Sequence, residues 1–167
     1  MTQTGPGQRV FGVIGWKNAG KTALVARLVA EFRRRSWRVS TIKHAHHDVD
    51  IDQRDTDSWH HRAAGATEVA LVGGLRYAIM REQRDATLAE VLARMAPADL
   101  ILIEGYKREA HPKIEVRADH SRPMAQDDPN IVAIAADERP PETHLPWFTR
   151  DDIAMMADFI EDRLGLG

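Results

Sequence analysis

The sequence contains no cysteine, so neither a disulfide nor a thiolate-bound metal is available to it. Aromatic residues are sparse at 6% of 167. Charge of neither sign dominates: 23 Lys and Arg stand against 25 Asp and Glu, a formal net charge of −2. That balance removes any whole-chain electrostatic argument for binding nucleic acid. No apolar run approaches the roughly 20 residues that a membrane-spanning helix needs. The first residues, Met1 to Gly7, show no charged-then-apolar leader pattern. These absences lead to the expectation of a cytoplasmic protein with no nucleic-acid and no membrane partner. What is present is an ordinary globular mixture, 43% hydrophobic and 29% charged. The length suits one domain with its own core. The expected organisation is a flexible stretch over 1–8 and a single domain over 9–167.

Apolar patterning gives an alternation of strands and helices. Arg9 to Ile14 (RVFGVI) reads as a buried strand, and Gly15 to Gly20 as a turn that cannot continue it. From Lys21, the residues Leu24, Val25, Leu28, Val29 and Phe32 recur at helical spacing. Arg33, Arg34 and Arg35 close that helix, where cations suit the negative dipole end. Trp37 to Ile42 reads as the next strand, and strand–helix–strand over so short a span demands parallel pairing. Further along, a short helix is expected over Ser58 to Ala64. Strands are expected at Glu68 to Val72 and Tyr77 to Met80 around Gly73-Gly74, and a helix over Leu88 to Met95. Asp99 to Ile103 (DLILI) has the near-continuous apolar run of a central parallel strand. Lys113 to Val116 and Ile131 to Ala135 supply two more strands, with a flexible loop expected over Asp119 to Pro129. Arg139 to Pro146 reads as a connector, and a last helix is expected from Thr149 to Leu164. The fold class implied is a three-layer α/β domain with a mostly parallel central sheet, binding ligands at the carboxyl ends of its strands; the match of Gly15 to Thr22 to G-x-x-x-x-G-K-[ST] makes it P-loop NTPase-like.

The chemistry concentrates at Gly15-Trp16-Lys17-Asn18-Ala19-Gly20-Lys21-Thr22, which matches G-x-x-x-x-G-K-[ST]. Glycines let successive main-chain N–H groups point into one concavity, and the helix start behind them adds its positive dipole end. Lys21 can then reach the β- and γ-phosphates of a nucleoside triphosphate, and the Thr22 hydroxyl can ligate Mg²⁺. An acidic residue is expected at the end of a buried strand beside such a loop. Glu104, closing DLILI, fits, whereas Asp99 sits at the opposite end of that strand. Five of the eight histidines fall between His44 and His61. Three readings of the stretch Lys43 to Asp52 stay open. It can be a transition-metal site, since imidazole plus carboxylate suits Zn²⁺ or Ni²⁺. It can be a loop beside the triphosphate, with Asp48, Asp50 or Asp52 near Mg²⁺ and Lys43 or His44 near phosphate oxygens. It can also be a solvated polar loop. Tyr106, Lys107 and Arg108 either meet an anionic partner or form an exposed basic turn. The four tryptophans read as packing or surface residues.

Several pieces occur in one order: GWKNAGKT at Gly15, TIKHAHHDVDID at Thr41, DS…AAGA from Asp57 to Ala66, DLILIEGYK at Asp99, PKIEV at Pro112 and IVAIAAD at Ile131. In this arrangement, spread over nearly the whole chain, the sequence resembles the molybdopterin-guanine dinucleotide biosynthesis protein B family. The resemblance implies a homodimeric GTP-binding accessory protein of molybdenum-cofactor maturation. Such a protein works beside the guanylyltransferase that attaches GMP to molybdopterin, with at most slow Mg²⁺-dependent GTPase activity. It also implies that Gly15 through Thr22, followed by Ala23, hold GTP. Lys43 and His44 would lie nearby, Thr22, Glu104 and Asp50 on the metal side, and Lys21, Glu104 and Asp48 at the reacting phosphate. Many relatives carry a second Thr where this chain has Ala23, and Trp16 stands where related deviant-loop ATPases carry an extra lysine. No N-K-x-D guanine-reading motif is present; Asp137, after the Ile131 strand, is either an acceptor for guanine N1 and N2 hydrogens or a plain loop aspartate. The competing reading is a small-molecule kinase or ATP-dependent ligase on the same fold, with His44 or Asp48 as general base.

Overall fold

The computed structural model describes residues 8–45, 49–118, 121–141 and 143–166. The stretch 1–7, expected to be flexible, and His46, His47 and Asp48 lie outside the described residues. The chain divides into two compact units, Met1–His44 with Leu88–Gly167, and Ala45–Thr87.

The larger unit is built on strands β1 (Arg9–Gly15) and β2 (Val39–Lys43), with α1 (Lys21–Arg34) between them. The smaller unit holds α2 (Asp57–Ala63) and strands β3 (Glu68–Val72) and β4 (Tyr77–Arg81). The chain then returns to the larger unit with α3 (Leu88–Leu92), β5 (Leu100–Glu104), β6 (Lys113–Val116), β7 (Ile131–Ala135), β8 (Trp147–Phe148) and α4 (Ile153–Leu164). Its six strands form one sheet in the order β2-β5-β1-β6-β7-β8, and every neighbouring pair is parallel. Because parallel strands are covered on both faces, their side chains are apolar in both directions. Phe11, Val13, Leu100 and Leu102 point into a core closed by Leu28 and Phe32 of α1 and Met156, Ala157 and Ile160 of α4. Val10, Ile101 and Ile103 point the other way, onto Leu88 and Leu92 of α3. This is the three-layer arrangement expected from the sequence.

Local boundaries differ from expectation for identifiable reasons. Helix α3 stops at Leu92 rather than Met95. Its last amides turn back three residues, Arg94 N–H to Val91 O and Met95 N–H to Leu92 O, which tightens the end before Pro97. Strand β2 begins at Val39, because Trp37 N–H is spent on Phe32 O and Arg38 N–H on the Asp99 carboxylate. The two-residue β8 lies inside what reads as a proline-rich connector. It is too short to leave a periodic signal.

The described part of the loop expected to be flexible, 121–129, is tied to the sheet by two buried charged side chains of β6. Glu115 accepts from Met124 N–H at 2.9 Å and Ala125 N–H at 3.0 Å. Lys113, fully buried, donates to Asp128 Oδ2 at 2.8 Å, to Lys107 O at 3.0 Å and to Glu109 O at 2.5 Å. A buried ammonium is tolerated when its donors are all used, and here three acceptors meet three N–H groups.

In the smaller unit, Thr56 caps α2, its hydroxyl accepting from Trp59 N–H. Strands β3 and β4 form an antiparallel hairpin with Val72 opposite Tyr77, closed by Gly73 N–H to Arg76 O at 2.9 Å. Val69 and Met80 are buried on one face of the hairpin, whereas Val72, Tyr77 and Ile79 on the other face are 75%, 72% and 59% exposed.

Two carboxylates make the fold sensitive to acid. Side-chain hydrogen bonds from Arg34 and then Arg35 hold Glu31 at about 2, against an ordinary value of 4.5. Side-chain and main-chain hydrogen bonds from Arg38 hold Asp99 at about 2, against 3.8. Both folded-state values lie below the unfolded ones, so the stability these groups contribute is complete above about pH 4.5 and is lost as pH falls toward 2. In urea unfolding across that window, the parent midpoint should fall with acidification. The Arg38→Gln variant should start lower at neutral pH, fall less steeply and converge with the parent near pH 2.

Candidate functional site

Strand β1 ends in the loop 15–22, and α1 begins at Lys21. The loop turns tightly, with Ala19 N–H donating to Trp16 O at 3.2 Å. Ala19 is buried and anchors the turn in the core that α1 covers. Gly20, the residue before α1, has φ +94, a left-handed conformation that glycine adopts without steric cost. Asn18, at φ +62, is one of the few other residue types that tolerate this region. Lys21 reaches back across the loop and donates from Nζ to Trp16 O at 2.7 Å. Its ammonium therefore stands over the turn, the placement an anion-cradling loop requires.

Parallel register brings the other charged groups alongside. Glu104 pairs with Val13 of β1 on one side and with Lys43 of β2 on the other. Its carboxylate accepts from the Thr22 hydroxyl, both oxygens lying 3.0 Å from Oγ1, and Lys43 Nζ stands 3.6 Å from Oε1. Two further main-chain bonds fasten the strand ends, His44 N–H to Glu104 O at 2.9 Å and Gly105 N–H to Val13 O at 3.2 Å. The His44 ring stacks on Tyr106, with centroids 4.2 Å apart. Burial, followed by the nearby Lys107 and Lys43 charges, pushes the Lys21 ammonium below its ordinary value, and Glu104 alone opposes them. Lys21 and Lys43 both stand against the single carboxylate of Glu104, which leaves the site short of negative charge that a polyanion would supply.

The donor set also fits a hard divalent cation. A hydroxyl and a carboxylate within hydrogen-bond reach of each other are both oxygen ligands. Mg²⁺ characteristically takes only one or two protein oxygens and completes its shell with phosphate and water.

Other residues singled out in the sequence are placed differently. Asp137 follows β7 and forms an ion pair with Arg150 Nε at 3.0 Å; Arg150 also donates to Arg117 O at 2.8 Å. Asp50 belongs to the smaller unit, where Arg62 donates to its Oδ2 at 2.9 Å and Asp52 N–H to its Oδ1 at 3.0 Å. Asp52 accepts from the Ser58 hydroxyl at 2.8 Å. Arg62 also donates to Glu82 at 3.0 Å, so one guanidinium gathers the carboxylates of this segment. Among the described residues, no group of three or more His, Asp or Glu side chains is arranged to hold a metal ion. Sequence reasoning did not anticipate the Lys43–Glu104 pair, the Arg150–Asp137 pair or the buried Lys113. A lysine at a strand end and an arginine before a helix carry no motif, and only the register reveals their partners.

A model of the family described as molybdopterin guanine dinucleotide synthesis protein B matches residues 10–137. A molybdopterin-guanine dinucleotide biosynthesis adapter protein of Haemophilus influenzae is 35% identical over 159 residues, covering 93% of this chain and 89% of its own length. Its Escherichia coli counterpart is 32% identical over 153 residues, 87% of each chain. Among solved structures, that of a MobB protein homolog from Bacillus stearothermophilus has a TM-score of 0.73 at 30% identity, covering 95% of this chain and 99% of the other. With a family match across the loop, the sheet and the Glu104 strand, and relatives aligned over most of their lengths, this chain belongs to the MobB family.

Proposed function

We propose that this protein is a GTP-binding adapter in the assembly of molybdopterin-guanine dinucleotide, holding GTP and Mg²⁺ at the loop 15–22 and turning the nucleotide over slowly at most. The observation that carries the reading is the meeting of the Thr22 hydroxyl and the Glu104 carboxylate at 3.0 Å beside the Lys21 ammonium. In this reading the loop amides from Gly15 to Gly20 and the Lys21 ammonium bind phosphate oxygens, and Thr22 and Glu104 hold the metal. Mg²⁺ would neutralise charge on the β- and γ-phosphates. Lys43 orients the Glu104 carboxylate, and the His44–Tyr106 stack closes the neighbouring wall. Asp137 reads guanine in this proposal only if the base displaces Arg150 from it. Asp50 serves the metal only if it leaves Arg62. A metal-side role for Asp50 accordingly belongs to the bound state. The expected protein partner is the guanylyltransferase, and the expected compartment is the cytoplasm.

Calorimetry with GTP, GDP and ATP in the presence of Mg²⁺ tests the reading. GTP should bind more tightly than ATP, and dinucleotide formation by the guanylyltransferase should rise when the protein is added. Lys21→Ala should weaken GTP binding by about 10- to 100-fold, the worth of charge-assisted hydrogen bonds, and leave the melting temperature essentially unchanged. Glu104→Gln should reduce binding in Mg²⁺ more than binding in excess chelator. A folded Lys21→Ala protein with parental GTP affinity would remove the phosphate assignment.

A homodimer is part of the same proposal. The exposed hairpin face of Val72, Tyr77 and Ile79 supports it, because a flat apolar strand face left to water is a surface for association. Sedimentation should show twice the chain mass for the parent, and the Tyr77→Ser/Ile79→Lys double variant should sediment as a monomer while retaining the loop's GTP affinity.

A further inference from the structure

Beside the phosphate loop lies a second hollow that the proposed nucleotide site does not use. It is a cavity of about 460 Å³, with Ile14, Trp16, Lys107, Arg108, Arg122 and Met124 in its wall. That volume is in the range of small-molecule sites. Trp16 is the second residue of the loop, and its indole is 43% exposed. The ring is nevertheless fixed, because Nε1 donates to Arg122 O at 2.8 Å. An indole whose only polar atom is already satisfied presents a rigid aromatic face at little further entropic cost.

The charges around this face are unbalanced. Lys107 Nζ stands 4.8 Å from the centroid of the Trp16 ring, and Arg108 is exposed. The acidic residues of the wall are already occupied: Asp127 pairs with Arg122 at 2.9 Å, and Asp128 with Lys113 at 2.8 Å. Among the described residues, no carboxylate forms an ion pair with Lys107 or Arg108. Lys107 is also fastened at its main chain, where its carbonyl accepts from the buried Lys113. A clamped loop thus presents two unneutralised cations beside a fixed aromatic plate. Trp16 belongs both to the loop and to the wall of the hollow, so this hollow adjoins the place where the triphosphate would end.

We propose that the hollow between Trp16 and Lys107–Arg108 is a second ligand site, taking a planar heteroaromatic phosphate ester with its ring on the indole and its phosphate on the two cations. The inference rests on the reading of the loop 15–22 as a triphosphate site only for the identity of its neighbour. Two halves of a dinucleotide are joined through phosphates, so a site that presents one phosphate ester next to the tail of a triphosphate has the geometry to serve both. No bond is made or broken in this proposal; the hollow binds and orients.

The test uses the full chain saturated with guanylyl imidodiphosphate and Mg²⁺. Calorimetry compares three probes: the phosphate monoester of 6-hydroxymethylpterin, the free alcohol 6-hydroxymethylpterin, and inorganic phosphate. The monoester should bind at least about tenfold more tightly than either of the others, since ring and phosphate act together. Lys107→Gln should weaken the monoester by about tenfold, leave the alcohol unchanged and keep affinity for the GTP analogue within about threefold, and Lys107→Arg should restore the monoester. Trp16→Ala should abolish the advantage of the monoester over inorganic phosphate. The inference is overturned if the monoester binds no better than inorganic phosphate, or if Lys107→Gln leaves its affinity unchanged. It is also overturned if Lys107→Gln lowers affinity for the GTP analogue as much as for the monoester, which would give Lys107 to the triphosphate. A parent that binds the analogue but not the monoester removes this inference alone. One that binds the monoester but not the analogue removes the GTP reading and keeps the second site.

Discussion

Everything at the site depends on the parallel pairing of β5 with its two neighbours. Val13, Glu104 and Lys43 lie in one row across three strands, and the loop, the carboxylate and the lysine leave the sheet together. A slip of one residue in either pairing would turn Glu104 to the opposite face of the sheet and away from Thr22. The pairing is protected by burial on both faces. Leu100 through Ile103 are fully buried, alternating between the α1–α4 core and the α3 core. The same side chains that stabilise the fold therefore set the separation of hydroxyl and carboxylate at 3.0 Å.

The electrostatics follow from that row. Lys21 and Lys43 both stand against the Glu104 carboxylate, and burial, followed by the neighbouring lysine charges, lowers the proton affinity of Lys21. A cluster of this kind is destabilising for a protein by itself and favourable once a polyanion arrives, so the larger unit holds its charges ready in advance. The left-handed residues Asn18 and Gly20 belong to the same preparation, because they curl the main chain before any ligand is met.

Much of this was legible from residues alone, and the exceptions have physical reasons. The continuous apolar run at Leu100–Ile103 announced a central parallel strand, and the spacing of Leu24, Val25, Leu28 and Phe32 announced α1. Thr22 and Glu104, 82 positions apart, were singled out separately and stand in contact. The division into two compact units was not legible, because the expected hairpin and short helix look like any insertion until their contacts are known. Strand β8 was hidden by its length of two residues. The loop after β6 read as flexible because its composition is polar and proline-rich. Its described part is held by Lys113 and Glu115, which alternation alone would class as ordinary strand residues. Asp137 looked available for a base, and only the fold shows that Arg150 already occupies it.

The buried flank of the sheet also constrains how this sequence can drift. A methyl group on Gly12 would lie 2.6 Å from His111 Nε2 and 2.8 Å from Lys113 Cβ, closer than packed atoms approach. His111 has no hydrogen-bond partner for that nitrogen among the described residues. Its burial, together with the Lys113 charge, lowers its pKa to about 4, so it stays neutral in this space. Positions 12, 111 and 113 thus share one fixed volume. In descendants of this chain, a side chain can appear at the first only when an imidazole or an ammonium stem has first been given up at the others.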